Sequence, residues 1–291
     1  MDRSEEMGKL LGGIPMNSLR VSRIIITLLM GVAGIMFVMP FLWMLSASFK
    51  PELDVMAYPI NWIPTTWNAV QNYTEVWAGA LPFSLYYWNT IKVTLLTTVF
   101  SLIISAMAAY GFSKISFKGR DALFILILAT FMIPSQAILV PQFIMYRWLG
   151  LFDSHAGLVL LGASGVIGTF LLRQFFMSIH NEIIESARMD GANHWTIFVR
   201  ITLPLVQSAL ATVIILRFIW TWNDYQNPLI FLRSDHLFTL QLGMTKFSDV
   251  NGEFYSLMMA GAVSAILPLL IIFIIGQKHV IEGVASGSVK G

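Results

Sequence analysis

Few residues in this 291-residue chain have the type and spacing to do chemistry. Cysteine is absent, which removes disulfides, a thiol nucleophile and any Cys-ligated metal. The five histidines, His155, His180, His194, His236 and His279, show no metal-ligand spacing. There is no Gly-x4-Gly-Lys-Ser/Thr loop, so the chain is not expected to bind ATP itself. Neither His-Glu-x-x-His nor Gly-x-Ser-x-Gly occurs. No catalytic residue, metal or bound cofactor is therefore expected. The triplet Asn72-Tyr73-Thr74 fits a glycosylation sequon and is read as chance.

What remains is a small polar set embedded in apolar sequence. Arg217 lies inside an apolar run, where an ionisable group is a functional candidate by default. It either lines a pathway, pairs with a partner subunit, or snorkels toward the interface. Trp220, Trp222, Asn223, Asp224 and Tyr225 follow within one or two turns. Aromatic faces beside amides and carboxylates suit sugar rings and hydroxyls, although an interfacial aromatic belt has the same composition. Gln136, next to Pro134, is a further pathway candidate, with helix–helix packing as the alternative. Gln136, Arg217, Trp220 and Asn223 form the candidate substrate pathway.

The second set lies between Asn181 and Pro204. Glu182 to Met189 favours a short helix, with Ser178 and Asn181 as candidate caps and acids where the helix dipole favours them. Gly191 can take a positive φ and end that helix. Ala192 to Val199 is expected to form a second short helix along the membrane surface. Leu203-Pro204 is expected to start the next spanning helix, where proline is tolerated. On residue chemistry alone, a helical connector without a partner explains the segment equally well.

The elements that carry these residues follow from composition. The chain is 56% hydrophobic and only 12% charged, with mean hydropathy +0.72. A soluble domain carries about 25% charged residues, so there is too little charge here to cover a water-facing surface. The apolar excess falls in blocks that reach the roughly 20 residues needed to cross a bilayer. Six spans are read at about 24–47, 89–113, 122–143, 157–177, 203–225 and 255–276. Pro134 and Pro141 interrupt the third, and the fourth is rich in glycine. The first block is too long for the apolar core of a signal peptide, about 7–15 residues, and is read as a retained helix.

Charge placement sets the orientation. With the N-terminus inside, the inner segments hold Arg3, Lys9, Arg20, Arg23, Lys114, Lys118, Arg120, Arg173, Arg188, Arg200, Lys278 and Lys290. The outer segments hold only Lys50, Arg147, Arg233 and Lys246. Trp62, Trp67, Trp77, Trp88, Trp148, Trp220 and Trp222 fall on or near the outer side, as interfacial rings prefer. The proline-rich outer loop from Lys50 to Trp88 is expected to be ordered against the membrane. The inner basic residues are explained by topology and give no support for nucleic-acid binding. No internal repeat is visible, and the spans hold almost no acids away from their ends. Both facts argue against a secondary transporter. An integral membrane enzyme lacks the polar cluster it would need.

The spacing in the inner loop carries a resemblance. Glu185-Ser186-Ala187 is followed after three residues by Gly191; after nine more residues comes Ile201, then Leu203-Pro204. This resembles the cytoplasmic signature loop of permeases of binding-protein-dependent ABC importers, with Ser186 the one departure, in place of alanine. Pro40 to Lys50, Ala108 to Lys114, Phe117 to Arg120, Leu149 to Asp153 and Gly287 to Gly291 are similar to the carbohydrate-uptake branch, in particular its maltose-type second permease.

That resemblance implies an all-α, polytopic integral membrane protein of about six transmembrane helices, with a type I importer permease fold and both termini cytoplasmic. It implies a cytoplasmic segment 1–23, a permease domain 24–276 with coupling loop 178–202, and a cytoplasmic tail 277–291. Glu185, Ser186, Ala187, Asp190, Gly191 and Ala192 would sit at the contact with an ATPase. The implied partners are a second homologous permease, two ATPase subunits that bind MgATP, an extracytoplasmic solute-binding protein and a sugar. The implied location is a prokaryotic cytoplasmic membrane. Glycerol-3-phosphate or a polyol stands as the alternative substrate.

Overall fold

The computed structural model describes residues 16–249 and 252–288. Most of the expected N-terminal segment, including Arg3 and Lys9, lies outside them, as do Val289 to Gly291. Fourteen helices carry the fold in the described residues, with a few shorter turns. Helix α1 (Met16–Ser48) is followed by two short outer helices, α2 (Glu52–Val55) and α3 (Ala69–Ala78). The long central helix α4 (Phe83–Lys114) leads into α5 (Arg120–Phe131), α6 (Ser135–Trp148), α7 (His155–Ala163) and α8 (Val166–Ser178). Then come α9 (Asn181–Met189), α10 (His194–Leu205) and α11 (Gln207–Trp222). The outer loop that follows holds α12 (Gln226–Phe231), α13 (Leu240–Gly243) and the two-residue hairpin β1 (Ser248–Asp249) and β2 (Gly252–Glu253). The last helix is α14 (Tyr255–Ser288).

Three helices are long and apolar enough to cross a membrane, or up to six if each bent pair is one span. The bent pairs are α5 with α6 (97°), α7 with α8 (41°), and α10 with α11 (81°). Five of the six expected spans match a helix or a bent pair. The fifth begins later than expected. Leu203 and Pro204 close α10, and the chain turns at Val206 before α11 begins. Residues Ile197–Thr202 of α10 are wound as wider π turns. Wider turns accommodate the donor that Pro204 cannot supply, so the proline ends one helix instead of opening the next. Pro141 also departs from expectation. It stays inside α6, and the interruption of the third span falls at Met132 to Pro134 alone.

Helix α1 is apolar all round, and none of its most apolar stretch is buried against the rest of the chain. Phe37 and Met30 stand 77% and 69% exposed, which suits lipid and not water. The packed centre is instead α4, against which α7, α8 and α11 lie. One face of α4 carries Thr90, Thr94, Thr97, Ser101 and Ser105, all buried. Small residues let membrane helices approach closely. The partners on the fourth span are glycines for the same reason. A Cβ on Gly165 would collide with Ser105 and lie 2.7 Å from the hydroxyl of Ser101. The Ser105 hydroxyl donates to the Gly165 carbonyl at 3.1 Å.

The loop from Lys50 is tied back to the preceding helix. Asn72 donates to the carbonyls of Ser48 and Lys50 at 2.9 and 2.8 Å, which ties α3 to the end of α1. At the other end of the bundle, Arg173 donates to the Phe112 carbonyl (3.1 Å), pairs with Asp121 (3.1 Å) and lies 4.1 Å over the Phe124 ring. These contacts join α4, α5 and α8.

Candidate functional site

The loop between α8 and α11 is built in two pieces around one turn. Helix α9 ends in a reciprocal pair of backbone bonds. Gly191 N–H donates to the Arg188 carbonyl and Ala192 N–H to the Ala187 carbonyl, both at 2.9 Å. This is the Schellman pattern, which requires a left-handed residue after the cap. Gly191 supplies it with φ +83°, in open space. The next helix is capped by Asn193, whose side-chain oxygen accepts the Thr196 N–H at 2.8 Å. The expected caps of α9 do not form. Ser178 donates to the Phe175 carbonyl, and Asn181 spends its side-chain oxygen on Lys114 at 3.0 Å. Lys114 also donates to the Ile179 carbonyl at 2.6 Å, so the end of α4 is pinned to the start of α9.

The two faces of this loop differ sharply. Ile184 and Ala187 are buried with Tyr110, Leu172, Phe176 and Phe198 of the same chain. Glu182, Glu185, Ser186, Met189, Asp190 and Gly191 are exposed, Met189 by 88%. Ala187 therefore does not sit on the outward surface. Its small size lets α9 seat on the chain's own helices, and Ala192 is half-buried beside it. Of the expected contact residues, Glu185, Ser186, Asp190 and Gly191 face outward.

The second candidate region is a cavity of about 660 Å³ between the α5–α6 break, the α7–α8 break and α11. Gln136, Arg217 and Trp220 line it, so the structure brings together three of the four expected pathway residues. A neighbouring cavity of about 280 Å³ shares Arg217 and Trp220 and reaches Thr94, Thr97, Asp224 and Thr239. Asn223 lines neither. It follows the last residue of α11, and its amide donates at 2.8 Å to the Ile219 carbonyl, which also accepts the Asn223 backbone N–H at 3.2 Å. Asp224 and Asn227 take the place expected for Asn223, and they bond each other at 2.7 Å. Trp222 also leaves the expected cluster. It is 1% exposed, donates to the Ala265 carbonyl at 3.0 Å and stacks on Phe218.

The threonines of this region were not among the sequence candidates. The hydroxyls of Thr94, Thr97, Thr98 and Thr239 are buried without a hydrogen-bond partner. For Thr94, Thr97 and Thr98 the signal is the run of hydroxyl residues three and four apart on α4, which shares one helix face. Among the described residues no cluster of His, Asp and Glu could hold a metal ion.

Comparison with known proteins gives this geometry its context. Residues 101–285 match the family model described as the binding-protein-dependent transport system inner membrane component. The chain is 34% identical over 272 residues to the arabinooligosaccharides transport system permease protein AraQ of Bacillus subtilis (strain 168), covering 93% of this chain and 97% of that one. It is 34% identical over 269 residues to the galactooligosaccharides transport system permease protein GanQ of the same organism, covering 91% and 94%. Among solved structures, a bacterial ABC transporter involved in the import of the acidic polysaccharide alginate contains a similar chain. That match has a TM-score of 0.80 at 28% identity and covers 90% of this chain and 97% of that one. This chain belongs to the family of binding-protein-dependent transport system inner membrane components: it is a multi-pass permease subunit of an ABC importer, with a transport and not a catalytic role.

Proposed function

We propose that this permease forms half of the translocation pathway for an oligosaccharide, beside a second homologous permease, and couples that pathway to two cytoplasmic ATPase subunits. An extracytoplasmic solute-binding protein delivers the sugar. MgATP is bound and hydrolysed by the ATPase subunits, and this chain holds no cofactor. The oligosaccharide reading is supported by the curated relatives, whose names specify arabino- and galacto-oligosaccharides.

The observation that carries the coupling role is the two-faced helix α9. Its inner face is packed into the core of the membrane helices, and its start is pinned to α4 through Lys114. Its outer face presents Glu185, Ser186, Asp190 and Gly191. A helix held on one side this firmly moves as a rigid body with the helices it packs on. Glu185 and Asp190 offer carboxylates to basic groups of a docked ATPase. When two ATPase subunits close on MgATP, a docked α9 transmits the movement, and the membrane helices switch access, a hinge-type transition.

The test is purification of the tagged chain from its native cell in mild detergent, with MgATP hydrolysis assayed on the product. A second permease and an ATPase are expected to copurify. Gly191→Val, which forces a β-branched side chain into a left-handed position, is expected to release the ATPase or to uncouple hydrolysis from transport. A stable chain without an ATPase partner, in detergent and after crosslinking in membranes, would overturn the reading.

A further inference from the structure

The two cavities meet at one charged side chain. Arg217 lines both. Its Nε is buried without a partner, and among the described residues the guanidinium forms no hydrogen bond and no ion pair. The surrounding hydroxyls of Thr94, Thr97 and Thr239, which line the smaller cavity, are equally unpaired. Asp224 is the acid within reach of this region, but both its oxygens are engaged by Asn227, at 2.7 and 3.1 Å.

The backbone is shaped to admit the guanidinium. A Cβ on Gly162 would collide with Thr97 and lie 2.8 Å from Arg217 Nη2. Only the bare backbone of Gly162 leaves that space. The site therefore consists of a seated cation, a row of free hydroxyls and a carboxylate turned to another partner.

The guanidinium is part-buried and borders both cavities; Asp224 supplies an opposite charge at the smaller one, but the Arg217 donors have no acceptor among the described residues. A neutral saccharide would return hydrogen bonds to Arg217 but not charge. A carboxylate or phosphate would return both, in the planar two-bond geometry that a guanidinium favours.

We propose that Arg217 is the anion-recognising residue of the translocation cavity, and that the imported saccharide carries a carboxylate or a phosphate. This deepens, and rests on, the importer reading above. The site is a weak, transient one along the path. Arg217, which borders both cavities, stands at the junction between them.

The test uses intact cells that carry the complete importer. A mixed panel is supplied: galactotriose as a neutral saccharide, trigalacturonate as a uronide, and sn-glycerol 3-phosphate and glucose 6-phosphate as phosphates. Depletion is followed by mass spectrometry in the wild type and in a strain lacking this chain. Depletion of an anionic member that requires this chain supports the assignment, and the member depleted separates uronide from phosphate. Arg217→Gln is then expected to lower its initial uptake at least tenfold, with Arg217→Lys retaining part of the rate, while the second permease and ATPase still copurify. Depletion of galactotriose alone, or of no compound, overturns the proposal. So does wild-type anion uptake by Arg217→Gln. Loss of the second permease from the purified Arg217→Gln assembly also overturns it, because Arg217 would then be an intersubunit partner. Failure of the importer reading is separately visible, as absence of an ATPase partner from the wild-type preparation.

Discussion

The carboxylate of Glu52 accepts the backbone N–H groups of both Tyr255 and Ser256, each at 2.8 Å, and caps α14 from a helix 203 residues earlier in the chain. The Ser256 hydroxyl donates to the same carboxylate at 2.7 Å. A helix start leaves four N–H groups unpaired, and a negative charge there is favoured by the helix dipole. Glu52→Ala removes both effects. Loss of a side-chain cap costs about 0.5–2 kcal/mol, so the purified protein is expected to unfold at a lower temperature. Glu52→Gln, which keeps an acceptor oxygen, is expected to fall between. Thermal unfolding in detergent measures the order.

Asp153 ties a second outer loop together. Its carboxylate accepts the Ser234 hydroxyl at 2.6 Å and the N–H groups of Ser234 and Arg233 at 2.9 and 2.8 Å. These bonds, the Ser234 hydroxyl first, hold its pKa below the ordinary carboxylate value. A depressed folded pKa contributes stability that is complete above the unfolded pKa and is lost as pH falls through the folded one. The wild type is therefore expected to lose part of its thermal stability in acid, and Asp153→Asn to show a flatter acid limb. Asp153 also holds φ 54°, which asparagine tolerates and alanine does not. Asp153→Ala should accordingly be less stable than Asp153→Asn at neutral pH.

The two tryptophans two residues apart have opposite surroundings. Trp222 is 1% exposed, while Trp220 is 49% exposed at the cavity. Truncating a buried tryptophan costs about 3–5 kcal/mol. Trp222→Ala is expected to reduce the folded yield sharply. Trp220→Ala is expected to fold with little loss and to change uptake instead. Expression and unfolding temperature, set against uptake, separate the two.

How far the sequence could be read follows from the range of the forces involved. The six apolar blocks were legible because crossing a bilayer demands apolar length, which is a local property. The turn at Gly191 was legible because few residues besides glycine take a positive φ. The bend at Val206 was not, because Leu203-Pro204 suits the end of a wide-turned helix as well as the start of a new one. Asn223 lines neither cavity, since at the helix end its side chain turns back on the backbone. The spacing of Ala187 does not reveal that it is buried in the same cluster as Leu172 and Phe176, because that burial depends on helices distant in the chain. The unpaired threonines of α4 escaped notice because each, alone, reads as ordinary packing.

The most direct measurement of the central claim uses the absence of native cysteine. A single cysteine is placed at Glu185, on the exposed face of α9, and a thiol-reactive crosslinker is added to native membranes. The account predicts a crosslink to a cytoplasmic ATPase subunit whose yield changes with MgATP. Tyr58→Cys, 95% exposed in the outer loop, is predicted to give no such product. If the Glu185 cysteine reacts with the linker and yet captures no ATPase subunit, while uptake proceeds, α9 is not the coupling element and the account is wrong.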